Sequence, residues 1–338
     1  MIEIGQPYKF LEIGRKDNQE DYLYPERADR HTRVFILCDG MGGHDNGEVA
    51  SMTAAESLGN SLSEHQEVSA RIFDEALSKA YDALDGIDTH SERKPGTTMA
   101  ALCLNDNNYL VAHIGDSRIY HIRPSNFNPD TGNGGILYQS SDHSLVNDLL
   151  KAGEISEEEA RDFPRKNIIT RAMQPHLERR CKADLYEFND VAPGDYFFMC
   201  SDGVLEQLSN SQLCCILAAS DITDHQKLDK IKSVCHGKTR DNFSCWLIPV
   251  EKVRLKNTAG THSNVICATE EISPSPAVEG ERIKRPCLHT GSVKQPQVRT
   301  IKKKGNIKDE FQSSSFLNLL LICLAALVVA IIIIWLLI

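Results

Sequence analysis

One pattern occurs twice in this chain and narrows the folds open to it. Val34-Phe35-Ile36-Leu37-Cys38 runs straight into Asp39-Gly40, and Tyr196-Phe197-Phe198-Met199-Cys200 runs into Ser201-Asp202-Gly203. A strand points successive side chains to opposite faces, so an unbroken apolar run implies a strand covered on both sides. Each copy then stops at a carboxylate and a glycine. A fold that accepts both must bury its strands in layers and release their ends at a rim.

The surrounding pattern supplies the layers. Gly47 to Leu58 has helical character, and Val68, Ile72, Phe73, Ala76, Leu77, Ala80, Tyr81 and Leu84 are spaced for one helix face. Strands are expected at Thr97 to Leu104, at Tyr109 to Ile114 and Arg118 to Ile122 around Gly115-Asp116-Ser117, and at Phe243 to Val250. Asp142 to Arg171 is mostly polar and helical, with a small stripe at Leu145, Val146, Leu149 and Leu150. Strands interleaved with helices in this way predict an α+β fold whose sheets are covered by helices.

Carboxylates mark the strand ends. Asp39, Asp116, Asp202 and Asp241 each stand where an apolar run meets a loop, and Glu20-Asp21 follows a strand-like stretch containing Leu11 and Ile13. Taken singly, each is an ordinary turn signal, since Asp-Gly is a preferred turn pair. Taken together, they would converge on one rim and repel one another, and a divalent cation relieves that repulsion. Oxygen-only ligands favour Mg²⁺ or Mn²⁺ over zinc. Arg15 precedes the acidic pair closely enough to offer a guanidinium to an anion held there, although a surface arginine is the simpler reading of that residue alone.

Other chemistries lack support. His113, His121 and His143 form no zinc pattern, no G-x-S-x-G elbow surrounds Ser117 or Ser201, and the glycine-rich Asp39-Gly40-Met41-Gly42-Gly43-His44 has no phosphate-loop lysine. Residues 1–250 hold 25 basic against 40 acidic side chains, which argues against a nucleic-acid partner.

The remainder differs in kind. Residues 251–315 carry 12 basic and 7 acidic side chains with little apolar periodicity, and read as a flexible basic linker. Phe316 to Ile338 is 23 residues without a charge, enough at ~1.5 Å per residue to span a ~30 Å hydrocarbon core as a transmembrane helix. Lys302, Lys303, Lys304 and Lys308 before it place the body on the cytoplasmic side. No apolar stretch near Met1 resembles a signal peptide. The expectation is a tail-anchored membrane protein. The 11 cysteines include no CxxC pair and read as thiols of a reducing compartment.

These motifs, in this order, resemble the metal-dependent PPM-type (type-2C) Ser/Thr protein phosphatases, bacterial branch. The likeness covers roughly residues 10–250. It rests on Arg15 with Asn18-Gln19-Glu20-Asp21, Asp39-Gly40-Met41-Gly42-Gly43-His44 with Gly47-Glu48-Val49-Ala50-Ser51, and Gly96-Thr97-Thr98. It continues through His113-Ile114-Gly115-Asp116-Ser117-Arg118, Asp142-His143-Ser144, Ile169-Thr170-Arg171-Ala172, Ser201-Asp202-Gly203 and Asp241-Asn242-Phe243-Ser244. The resemblance implies a central β-sandwich of two antiparallel sheets flanked by α-helices, with a two-metal site at one rim.

By position, Asp21, Asp39, Asp202 and Asp241 would be side-chain ligands of two Mn²⁺ or Mg²⁺ ions. Gly40 would contribute its carbonyl, Glu20 would bind through water, and Asp116 with Asp202 would hold a third ion. Arg15 would bind the phosphate, and the segment from Asp142 to Arg171 would be a flap where substrates are selected. The implied reaction is hydrolysis of phosphoserine and phosphothreonine on targets of Ser/Thr kinases, by a hydroxide bridging two metals. A catalytically silent, membrane-tethered phosphoprotein-binding module of the same fold is the alternative. The sequence departs from the family pattern twice. Five residues separate Arg15 from Asp21, one more than usual, which leaves Glu20 or Asp21 as the direct ligand, with Asp21 favoured. Met41 stands where animal relatives carry a histidine, so no general acid is assigned there.

Overall fold

Strand alternation sets the layering. In β4 (Val34–Met41), Val34, Ile36 and Cys38 pack against the buried faces of α1 (Gly47–Ser63) and α2 (Ala70–Asp85). Phe35 and Leu37 point the opposite way, into a cluster shared with Phe197, Met199 and Trp246. β11 (Tyr196–Cys200) repeats the arrangement: Tyr196, Phe198 and Cys200 meet α6 (Asn210–Ala218) and α7 (Asp224–Cys235), while Phe197 and Met199 enter the shared cluster. Both runs are apolar throughout because each strand has helices on one face and the other sheet on the second.

The computed structural model describes residues 1–42, 46–87, 94–161, 163, 168–254 and 281–282. One sheet has the order β1 (Ile2–Ile4), β12 (Phe243–Val253), β11, β8 (Arg118–Ile122) and β9 (Ile136–Gln139), with β2 (Tyr8–Glu12) also on β12. The other runs β13 (Glu281–Arg282), β10 (Asp184–Phe188), β7 (Tyr109–Ile114), β6 (Met99–Leu104), β4 and β3 (Asp21–Tyr24), with β5 (Gly96–Thr97) also on β4. Every pairing is antiparallel. The expected sandwich of two antiparallel sheets flanked by helices is what the chain forms.

Local signals explain the helices, which include α3 (Leu145–Ala152) and α4 (Glu157–Arg161) between the two sheets' helical layers in sequence. Ser69 caps α2 by accepting from the Ile72 N–H, and the stripe from Phe73 through Leu84 is buried. Capping boxes at Ser209–Gln212 and Thr223–Gln226 start α6 and α7. A buried polar bridge joins the sheets. Tyr109 and His121 hydrogen-bond at 2.8 Å, His121 meets Asp195 at 2.8 Å, and Arg123 grips both oxygens of Asp195. Each member has a partner, so the bridge specifies register without leaving a buried polar group unmatched.

β12 continues to Val253, three residues past the expected end at Val250. Apart from residues 251–254 and β13, the expected linker at 251–315 lies outside the described residues, as does the apolar run from Phe316 to Ile338. Among the described residues, no helix is long and apolar enough to cross a membrane. The eight cysteines described are all free thiols, six of them buried.

Candidate metal centre

Pairing brings the first two carboxylates together. Leu37 and Leu23 face the space between the sheets, and two residues away on the same faces stand Asp39 and Asp21. The β3–β4 register sets Asp21 directly opposite Asp39. Asp202 opens α5 (Asp202–Leu205) at the end of β11, and Asp241 immediately precedes Asn242 and β12. Asp116 follows β7, in the turn before β8. Five carboxylates from separate stretches of sequence thus feel one another's charge at one edge of the sandwich.

Hydrogen bonds fix their carriers. Ser201 Oγ donates to Asp21 Oδ2 at 2.8 Å, and the Ser244 N–H donates to Ser201 Oγ at 3.0 Å. The Asp39 N–H donates to Thr98 Oγ1 at 2.9 Å, and Asp39 O accepts from the Thr98 N–H at 2.8 Å. Asn242 accepts from the Glu20 N–H at 2.8 Å and donates to the carbonyls of Ile13 and Asn18, stapling the 13–20 loop onto β12. Gly40 is required by close approach: a Cβ there would lie 2.3 Å from Gly47 O and 2.6 Å from Glu20 O.

Burial and mutual repulsion hold protons on the cluster. Burial, then the charges of Asp202 and Asp241, push Asp21 up to about 7 against the hydrogen bonds from Ser244 and Ser201. Burial first, with Asp21, Asp202, Asp116 and Asp241 after it, lifts Asp39 well above the carboxylate range. Burial and Asp202 raise Asp116 to about 7, and burial and Asp241 raise Asp202 to about 6. Asp21 Oδ1, Asp116 Oδ1 and Asp202 Oδ1 are buried with no hydrogen-bond partner among the described residues. Unsatisfied oxygens of this kind, in an oxygen-only donor set, fit a hard divalent cation.

The other expected residues divide. Glu20 is 5% exposed, and its carboxylate packs where a Gly47 side chain would otherwise stand. Arg15 is exposed, and its guanidinium donates to the Gly237 carbonyl at 2.8 Å. The cation paired with the rim is its neighbour Lys16, 2.9 Å from Asp241 Oδ1, a residue the sequence reading passed over. Also unforeseen were the Ser201, Thr98 and Asn242 supports, although all three lie inside the motif stretches.

The start of the segment expected as a flap is tied to the turn that carries Asp116. Asp142 takes a two-point contact from Arg118, at 2.7 Å on each oxygen. His143 Nδ1 accepts from the Gly115 N–H at 3.1 Å, its ring stacks on His113 at 4.7 Å, and its Nε2 faces Asp184 at 3.5 Å. His113, His143 and Asp184 each place one ligand-capable atom within 4.8 Å of the others. Yet the Gly115 N–H already occupies His143 Nδ1, and the Arg171 guanidinium lies 3.4 Å from Nε2, where a metal ion would meet its positive charge. Stacking of His113 on His143 and the His143–Asp184 pair make the trio a strut between β7, β10 and the segment after Asp142. Burial, then His143, lowers His113 to about 4, and the hydrogen bond from His143 holds Asp184 below the usual carboxylate range.

Comparison with known proteins gives consistent findings. The family model described as protein phosphatase 2C matches residues 12–230. The protein phosphatase PhpP of Streptococcus pneumoniae is 37% identical over 215 residues, covering 60% of this chain and 80% of the relative. The serine/threonine phosphatase of S. agalactiae superposes with a TM-score of 0.58 at 30% identity, over 73% of this chain and 99% of that one. The catalytic domain of the serine/threonine protein phosphatase PstP, solved in complex with two manganese ions, superposes with a TM-score of 0.57 at 24% identity, over 74% and 99%.

Proposed function

This chain belongs to the bacterial protein phosphatase 2C family and is a protein serine/threonine phosphatase, and from that premise we propose that its carboxylate rim holds two divalent metal ions for hydrolysis of phosphoserine and phosphothreonine on proteins. Asp21, Asp39, Asp202 and Asp241 are the side-chain ligands, Gly40 offers its carbonyl, and Glu20 acts through water. Asp116 and Asp202 serve a third ion. The observation that carries this reading is the set of buried, unpartnered oxygens on Asp21, Asp116 and Asp202. Manganese or magnesium suits them, and the two manganese ions of PstP lie in a protein of the same fold.

When bound, the ions supply a water acidic enough to ionise near neutral pH and positive charge for the phosphoryl oxygens. The chain's own residues do the rest. Ser201 and Ser244 orient Asp21, Thr98 fixes the Asp39 backbone, and Asn242 sets the Glu20 loop. Arg15, on the same loop, binds substrate phosphate by leaving its Gly237 contact, since a guanidinium matches two phosphate oxygens better than one carbonyl. In the direct-ligand choice the geometry favours Asp21, because it is the residue opposite Asp39 and receives the Ser201 hydrogen bond. The extra residue after Arg15 is then absorbed in the loop.

The organisation proposed is a catalytic domain at 1–250, a basic linker at 251–315 and a transmembrane helix at 316–338, with the domain on the cytoplasmic face. A linker of that length reaches roughly 45 Å, confining the enzyme to phosphoproteins near the bilayer. The test is release of phosphate from a phosphothreonine peptide by the full-length protein. Activity should require Mn²⁺ or Mg²⁺ and fall at least 100-fold in Asp39→Asn and Asp202→Asn. Metal-independent turnover, or no loss in either variant, contradicts the assignment. Peptide binding without turnover would favour a silent module.

A further inference from the structure

The 13–20 loop holds a lysine against the rim by several independent ties. Gly14 adopts φ +64°, and a Cβ there would lie 1.9 Å from the Asp241 carbonyl, so backbone meets backbone at this point. The Arg15 N–H donates to Arg240 O at 3.2 Å, and the Lys16 N–H turns back to Ile13 O at 3.3 Å. Asn242 closes the other end through Ile13 and Asn18. Lys16 therefore leaves a pinned turn beside Asp241, and its Nζ comes within 2.9 Å of Asp241 Oδ1.

Its reach extends beyond that pair. The charges of Glu20 and Asp39 act on the same ammonium, and Lys16 in turn acts on Asp202. Among the described residues, no other lysine or arginine forms an ion pair with Asp21, Asp39, Asp116, Asp202 or Asp241.

We propose that Lys16 is a tethered competitor for the divalent ion at Asp241: its ammonium neutralises this carboxylate in the metal-free protein, and an arriving ion must release it. The inference rests on Asp241 being a metal ligand. An ammonium and a divalent cation want the same carboxylate oxygens, and placing both there costs the repulsion between them. The lysine thus sets affinity below what the carboxylates alone would give, while keeping the metal-free rim from carrying its full negative charge. Release leaves a cation on a short loop beside the site.

The experiment is Mn²⁺ binding to EDTA-stripped, full-length protein, followed through the electron paramagnetic resonance signal of free Mn²⁺. Lys16→Gln should bind Mn²⁺ about three- to five-fold more tightly than wild type, the worth of a partly exposed ion pair. Lys16→Arg, which keeps the charge, should stay within about two-fold. Asp241→Asn should weaken binding, and adding Lys16→Gln to it should bring no further gain, because the contested carboxylate is gone. Equal or weaker binding in Lys16→Gln, with Asp241→Asn still deleterious, overturns the role of Lys16 alone. Wild-type binding that Asp241→Asn leaves unchanged removes the ligand assignment and this inference together.

Discussion

Asp21 and Asp39 stand directly opposite each other on adjacent antiparallel strands, both aimed into the space between the two sheets. Like charges in that relationship destabilise a sheet, and burial at 3% exposure for Asp21 deepens the cost. A fold keeps such a pair where something other than folding uses it.

Removing one member should therefore stabilise the metal-free protein while abolishing activity. At pH 8 without metal, Asp39→Asn is expected to gain about 1–2 kcal/mol, seen as a rise of about 2–8 °C in melting temperature. Thermal denaturation in EDTA checks this. A fall in melting temperature would mean that the pair contributes to the fold.

The raised carboxyl groups set a pH dependence with a definite sign. Asp21 at about 7 and Asp202 at about 6, against an ordinary 3.8, favour the protonated fold. That stabilisation is complete below about pH 4 and is lost as pH rises to about 7. A metal ion at the proposed site would displace those protons, so Mn²⁺ affinity should climb from pH 5.5 to 7.5 and then level. Calorimetric titrations at pH 6 in buffers of different ionisation heat should show proton release on binding.

The histidine strut works in the opposite direction. His113 is held near 4, below its ordinary 6.5, so it folds neutral. Its contribution is present above about pH 6.5 and is lost as pH falls toward 4, to a limit of about 3 kcal/mol. The stability advantage of wild type over His113→Gln should shrink across that range, as followed by urea denaturation at several pH values. A constant difference would contradict the assignment.

On the proposed assignment, Ser201 supports the ligand Asp21 without being a ligand itself. Ser201→Ala deprives Asp21 of its 2.8 Å hydrogen bond. Activity at saturating Mn²⁺ should fall about 10-fold, with the Mn²⁺ concentration for half-maximal rate rising and the peptide KM nearly unchanged. A change confined to KM would place Ser201 in substrate binding instead.

Much of this architecture was legible because a strand buried on both faces has a distinctive sequence. β4 and β11 announced themselves through uninterrupted apolar runs, each followed by its carboxylate, although β4 continues past Asp39 to Met41. β1, β9 and β10 did not, since they are short, with little periodicity to read, and β2 showed only as the strand-like stretch around Leu11. The convergence of Asp21, Asp39, Asp116, Asp202 and Asp241 depends on long-range register, which family likeness supplied and local pattern could not. Lys16 was missed for the opposite reason: a lysine in a polar loop looks like solvated surface until Gly14 and Asn242 are seen to pin that loop to Asp241.

The most direct measurement is anomalous scattering at the manganese edge from crystals of the protein grown with Mn²⁺. Two strong peaks are expected within coordination distance of Asp21, Asp39, Asp202 and Asp241, and a weaker third between Asp116 and Asp202. Manganese absent from that rim, or bound instead at His113, His143 and Asp184, would contradict it.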